Sequence, residues 1–313
     1  MTSTEYDEFM KEQSGNAVGI GVNVIYGDAS GIIEIINVLP DSPAEEAGMR
    51  EGDIIVSVAG KKVADIGYYA ALDMIRGEEG TKAELTVVRD GKEIPFTCER
   101  RAVKTLSVTY HVFGGSGYVG VIRLTEFNST TPEQFKNAVS KLKDVGCDRF
   151  VFDLRNNGGG ELNSILEVLD YLLPEGPIAH IYYRTGKESH YTSDAACLEA
   201  RVAVLTNGRT ASAAELFTSA LRDYTRHGDY DAVLVGTKTY GKGVLQSFYK
   251  LKDGSAFKIS TGKYNPPYSE NYDGIGITPD IVIELSEEAA SVGFYKLTDE
   301  NDNQLIAAVN AIK

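Results

Sequence analysis

The chain has 313 residues, 42% of them hydrophobic, enough to bury a substantial core as one large domain or two smaller ones. Its formal net charge of −14 speaks against nucleic acid or an anionic membrane as partner, because both demand clustered Lys and Arg; neutral, cationic or peptidic ligands are expected. No run approaches the roughly 18 apolar residues of a membrane span, and the start MTSTEYDEF lacks the basic and apolar regions of a secretory signal.

In chain order, residues 1–17 are read as an N-terminal helical segment in which Glu5, Phe9 and Met10 belong to a short helix packed on the body. From Val18 to Arg101, strand-like runs alternate with glycine-marked turns: VGIGVNVIY, IIEIINVL, DIIVSVAG, AELTVVRDG and KEIPFTCE. Helical pieces SPAEEAG and GYYAALDMIRG interrupt them, which predicts a small, partly open β-barrel over 18–101. Over 102–313 the texture changes to apolar strands that precede amphipathic helices. GYVGVIRL leads to TPEQFKNAVSKLKDVG, DRFVFDL to SILEVLDYLL, and ARVAVLTN to SAAELFTSALRDY. That is the rhythm of a covered α/β sheet. DAVLVG, GVLQSFYKL and SAFKISTGKY extend the strands, and DIVIEL precedes a terminal helix at DNQLIAAVNAIK.

Cys98, Cys147 and Cys197 are odd in number and far apart, so they read as free thiols. With four His (His111, His180, His190, His227) and no HExxH, a metallopeptidase has little to work with, and no metal or cofactor is expected. Gly19-Ile20-Gly21-Val22 stands before a strand, where glycines let backbone N–H groups turn toward an anion such as a peptide carboxylate. Ser212 follows the strand VAVLT and the turn NGRT and opens a helix near Ala213, where unpaired N–H groups and the positive helix end favour a developing oxyanion. Serine is also a favoured helix cap, so position alone does not make it a nucleophile. Lys242 lies between glycines in Thr239-Tyr240-Gly241-Lys242-Gly243-Val244-Leu245-Gln246. A lysine serves as general base only when neutral, which an apolar setting favours. If a strand resumes at Val244, Lys242 and Gln246 share a face, and the Gln amide can orient the amine.

SPAEEAGMREGDIIVSVAGKKV resembles a PDZ domain of the bacterial protease type, which implies capture of a peptide C-terminus by strand addition, the carboxylate lying at Gly19–Val22. The apolar cast of GIGV suggests substrates with nonpolar C-terminal residues. TASAAEL and TYGKGVLQ, with GYVGVIRLTEF, DLRNNGGGEL and GIGITPD, resemble the C-terminal processing (tail-specific) peptidases over essentially the whole chain. The resemblance implies a mixed α/β fold: a crotonase-like serine peptidase core preceded by the PDZ-like domain and the short N-terminal segment. It implies Ser212 as nucleophile, Lys242 as base and Gln246 as the residue orienting the lysine. The oxyanion hole would come from the backbone N–H of Ala213 with that of Gly159 or Gly160. The implied activity is a serine endopeptidase acting on proteins or peptides, the PDZ-like domain either recognising tails or regulating access. It also implies a bacterial cell-envelope location, reached by a signal or anchor outside these residues, and leaves a homodimer or higher oligomer and a regulatory peptide or adaptor open as partners.

Ala214 stands where the family has a second serine, Gly158 where it has proline, and RDYTRHGDYD lengthens one connection. Asp153 and Arg155 read as a structural ion pair. Two rival readings come from the same stretches. Gly236 to Gly243 satisfies GxxxxGK of a phosphate loop but has Gly where Ser or Thr must hold Mg²⁺, and strand-like VLQSFYKL follows in place of a helix. A non-catalytic PDZ scaffold is the second; the required residue types at Ser212, Lys242 and Gln246 stand against it. A Ser-His-Asp hydrolase lacks its GxSxG.

Overall fold

The computed structural model describes residues 1–13, 15–27, 32–115 and 117–313. Two compact units emerge, Met1–Ser14 with Ser107–Lys313, and Gly15–Leu106. The N-terminal segment is thus helical over Ser3–Gln13 and packs with the larger unit.

The smaller unit is an antiparallel sheet in the order Val22–Gly27, Ile32–Val38, Ile54–Val58, Lys82–Arg89, Lys92–Glu99, with a separate pair joining Asn16–Gly19 to Arg101–Lys104. Helices Pro43–Glu46, Val63–Ile66 and Tyr68–Ile75 accompany it, and Ile33, Ile35, Ile55, Leu85 and Val87 fill the core at alternate strand positions. The GD turn is pinned by Asp53, whose carboxylate takes Arg89 Nε at 2.6 Å, Arg89 at a second nitrogen at 2.7 Å and the Arg50 N–H at 2.9 Å. Burial pushes Asp53 up, but those bonds outweigh it and hold its carboxyl below the usual range.

The larger unit carries the expected strand–helix alternation. Strands Val119–Leu124, Arg149–Asp153, Arg201–Thr206, Ala232–Gly236 and Ile281–Val282 pair in parallel in that order, and Val108–Val112 closes one edge antiparallel. Both faces are covered, which is why these strands read as continuous apolar runs. Phe150 and Phe152 face a cluster with Phe135 and Phe217, while Val151, Ala203 and Leu205 face Leu305 and Val309 of the terminal helix Asn303–Ala311. A second, antiparallel sheet runs Glu188–Ser193, Gly176–Tyr183, Ala256–Asn265, Val244–Lys250. Its first two strands have no counterpart among the expected elements, and DIVIEL yields only the two-residue strand Ile281–Val282.

Arg155 binds Asp153 at 2.9 and 2.8 Å and reaches Asp302 at 3.0 and 2.6 Å and Gln304 at 3.0 Å, tying the end of the central strand to the cap of the terminal helix. Cys98 and Cys147 are buried free thiols and Cys197 is a half-buried one. Among the described residues, no helix is long and apolar enough to cross a membrane, and no group of three or more His, Cys, Asp or Glu could hold a metal ion.

Candidate active site

The turn that carries Ser212 is fixed before its helix begins. Thr210 Oγ1 donates to Leu154 O at 2.9 Å, and the Ala211 N–H donates to Asn157 O at 2.9 Å, so the turn leans on the loop after the central strand. Ser212 itself has φ 59° and ψ −121°, a left-handed conformation that costs a non-glycine residue about 1–3 kcal/mol and persists only where surroundings impose it. An ordinary helix cap takes an extended backbone instead. The helix Ala213–His227 follows and ends on Gly228 at φ 94°.

Glu215, one turn into that helix and fully buried, holds the site together. Its Oε2 accepts from the Ser212 N–H at 3.0 Å and the Lys242 N–H at 2.7 Å; its Oε1 accepts from Thr239 Oγ1 and the Gly241 N–H, both at 2.6 Å. Four donors converge, and an ionised carboxylate, acceptor at both oxygens, satisfies all of them. Gly241 sits at φ +90° with its Cα against the Ile275–Gly276 backbone, where a Cβ would come within 2.8 Å of Gly276 N. Two buried tyrosines brace the same pair of segments. Tyr264 donates to Lys242 O at 2.8 Å, and Tyr272 to Ser212 O at 3.4 Å. Burial pushes both phenols up, so they stay protonated donors at neutral pH.

On the other side of Ser212, Gly159 at φ +101° is so close that a Cβ there would lie 2.7 Å from Ser212 Cβ and 2.9 Å from Ala213 N. Its own N–H donates to Asn157 Oδ1 at 2.8 Å. Gly160 packs on Phe127 O, where no Cβ fits. Among the described residues no acceptor stands on the N–H groups of Gly160 or Ala213.

Ser212, Ala213, Gly159, Gly160, Lys242 and Gln246 all line one cavity of ≈640 Å³. The structure therefore brings the expected peptidase residues together, although no hydrogen bond links the Ser212 hydroxyl, the Lys242 amine and the Gln246 amide to one another among the described residues. Such bonds are often long in an empty site and tighten around substrate. Glu126 and Glu161 also line the cavity; burial first, then the Glu126 charge, raises the Glu161 carboxyl. Lys258, another lining residue, is held below the ordinary lysine value by burial and then by the charge of Lys242.

Gly19 to Val22 lie in the smaller unit, apart from this cluster in sequence and in unit. Gly19 ends one strand and Val22 begins the next, an edge strand of its sheet. Between them Ile20 O accepts from the Ala44 N–H at 2.8 Å and Gly21 O from the Leu39 N–H at 2.9 Å. Gly21, at φ +81°, cannot be another residue, since a Cβ would lie 2.3 Å from Ser42 Cβ.

Asn157, Glu215, Tyr264 and Tyr272 were not singled out from the sequence. Only Glu215 left a local signal, the S-x-x-E capping pattern formed with Ser212; Tyr264 and Tyr272 act through contacts far apart in the chain, and Asn157 joins its neighbour Gly159 to the remote Ala211.

Comparison with known proteins gives concordant results. The model of Peptidase family S41 matches residues 118–283, and a PDZ domain model matches residues 34–89. The carboxyl-terminal-processing protease of Synechocystis sp. is 31% identical over 313 residues, 98% of this chain and 71% of the relative. A probable CtpA-like serine protease of Staphylococcus saprophyticus is 34% identical over 91% of this chain, which spans only 57% of that relative's length. Among solved structures, the photosystem II D1 C-terminal processing protease superposes with a TM-score of 0.54 at 28% identity, covering 91% of this chain and 77% of the other.

Proposed function

Because the chain belongs to peptidase family S41 and contains a PDZ domain, we propose that it is a serine endopeptidase of the C-terminal processing kind that works through a Ser212/Lys242 dyad. The observation that carries this reading is the shared oxygen: Glu215 Oε2 accepts from the backbone of both Ser212 and Lys242 and so holds the two segments to one atom. Lys242, as the free amine, takes the Ser212 proton, and the alkoxide attacks a peptide carbonyl. The oxyanion is received by the N–H groups of Ala213 and Gly160, both without an acceptor among the described residues, while Gly159 N–H is held by Asn157. Lys242 returns the proton to the leaving amine, and water then hydrolyses the acyl-enzyme. Gln246, which lines the same cavity, orients the Lys242 amine.

Substrates are proteins or peptides. The PDZ domain takes an apolar C-terminal tail as an added strand on Val22–Gly27, its carboxylate at Ile20 to Val22, and thereby delivers substrate or regulates the peptidase. Residence in a bacterial cell envelope and assembly as a homodimer, or with a regulatory adaptor, belong to the same reading.

The test compares wild type with Ser212→Ala and Lys242→Ala on an unfolded protein ending in apolar residues, with fragments followed by mass spectrometry. Cleavage by wild type alone is expected. Equal cleavage by Lys242→Ala would remove the lysine from the mechanism; no cleavage by any variant, with equal binding of a C-terminal peptide, would favour the scaffold.

A further inference from the structure

The N-terminal helix Ser3–Gln13 has few apolar residues, and Tyr6, Phe9 and Met10 fall at the i, i+3, i+4 spacing that puts them on one face. All three turn to the sheet that continues from Lys242. The Phe9 ring lies 4.6 Å from that of Phe248, and the Tyr6 ring 6.3 Å from it. Met1 pairs with Ala256 through two backbone bonds of 3.0 Å, its amino group donating to Ala256 O and its carbonyl accepting from Ala256 N. Asp7 meets Lys250 Nζ at 3.2 Å. The helix is therefore held by main-chain pairing, ring packing and an ion pair. Held there, it contributes Phe9 and Met10 to the cavity that contains Ser212 and Lys242.

We infer that Phe9 and Met10, with Phe248, form a specificity wall of the catalytic cleft that accepts an apolar side chain on a substrate residue bordering the cleaved bond and disfavours a basic one. This rests on the Ser212/Lys242 reading for what the cleft does. Apolar selection follows from the surfaces presented: Phe9 is half-buried and Met10 remains 44% exposed, so the free enzyme leaves apolar area open to water in the cavity that Ser212 also lines. A substrate side chain that covers it gains that burial. Methionine adapts its shape, so the wall suits several large apolar residues in preference to one. Discrimination against Lys and Arg has a separate cause. The Lys258 ammonium already stands over the faces of Phe248, at 5.0 Å, and Phe9, at 5.9 Å. In a cavity that Glu126 and Glu161 also line, the ring faces of this wall that could attract a cation are thus taken, and the Lys258 charge repels another at the wall itself.

The experiment uses peptides with amidated C-termini, which deny the PDZ domain a carboxylate, with Leu, Phe, Ala or Lys beside the cleaved bond. Wild type is expected to cut the Leu and Phe peptides with a kcat/KM at least about tenfold above the Ala peptide, within the range a hydrophobic pocket commands. Phe9→Ala/Met10→Ala should lose most of that ratio, with the Leu and Phe peptides falling further than the Ala peptide, and Lys258→Gln should raise cleavage of the Lys peptide. An unchanged profile in the double variant would overturn the wall. So would a uniform gain on every peptide, which marks the helix as an obstruction. Met10→Ala alone serves if the double variant melts early. Binding of the same peptides to Ser212→Ala and to Ser212→Ala/Met10→Ala, read by fluorescence anisotropy, tests the wall without turnover: a Leu-over-Ala preference lost in the second protein supports it, and an equal preference in both refutes it, whatever becomes of the dyad.

Discussion

Replacing Glu215 by Gln changes one atom in kind and barely alters volume, so its effect isolates the carboxylate. Four donors converge on the two oxygens: Ser212 N–H at 3.0 Å and Lys242 N–H at 2.7 Å on one, Thr239 Oγ1 and Gly241 N–H at 2.6 Å on the other. With the NH₂ at the Oε2 position it faces two N–H donors, whereas at the Oε1 position the Thr239 hydroxyl can turn to accept from it and only the Gly241 N–H is left opposed. Hydrogen bonds to a charged group contribute about 1.5–3 kcal/mol each, so even the better orientation loses about 1.5–3 kcal/mol before relaxation. Relaxation must come from the Ser212 turn or the Lys242 loop moving apart, because the helix that carries Glu215 is buried along most of its length. A displacement of about 1 Å at a reacting group costs on the order of 10²-fold in rate. The expected outcome for Glu215→Gln is a fall in kcat of at least about 10²-fold, with KM little changed and a lower thermal midpoint. Thr239→Val removes one bond of the four and also the acceptor of the buried Ile277 N–H at 2.7 Å, so it should lower both kcat and the midpoint below wild type. Wild-type kcat and midpoint in Glu215→Gln would refute the claim that this carboxylate holds the two segments in place.

Gly159→Ala introduces a Cβ 2.7 Å from Ser212 Cβ and 2.8 Å from Ala211 O at φ +101°, none of which can yield cheaply, so peptidase activity should drop by about 10²-fold or more; activity at the wild-type level would mean that this approach does not position Ser212 for the reaction. Arg155→Met leaves Asp153 and Asp302 buried without their main partner and should cost about 3–5 kcal/mol in urea unfolding at pH 7. Burial alone would raise Asp153, but Arg155 and Arg123 outweigh it and hold the carboxyl well below its usual value. Its contribution is therefore present above about pH 3.9, where the unfolded carboxyl titrates, and is lost as pH falls toward the lower folded value. The gap between wild type and Arg155→Met should narrow on moving from pH 7 to pH 3, and an equal gap at both would argue against this linkage.

Much of the site was legible because its elements announce themselves locally. Ser212 stands where a strand gives way to an amphipathic helix, and Lys242 stands between glycines just before a strand, so each could be placed by pattern and motif alone. The Asp153–Arg155 pair was legible for the same reason, two residues apart where the strand Arg149–Asp153 ends. By contrast the hairpin Gly176–Tyr183 and Glu188–Ser193 escaped notice, since its mixed polar and aromatic residues follow no clean alternation and its pairing with Ala256–Asn265 is remote in sequence. The candidate oxyanion donors were told apart only in three dimensions, where Asn157 takes the Gly159 N–H and no acceptor among the described residues takes that of Gly160.

By itself, then, the sequence indicated most strand and helix types, the buried faces and the candidate residues Ser212, Lys242 and Gln246, because periodicity, turn chemistry and short motifs are properties of neighbouring residues. Tertiary structure alone decided that Glu215 ties Ser212 to Lys242, that Tyr264 and Tyr272 brace them, and that Phe9 and Met10 line the cleft. Those contacts join residues tens to hundreds of positions apart, and their geometry follows from how whole sheets and helices pack, which no local pattern records.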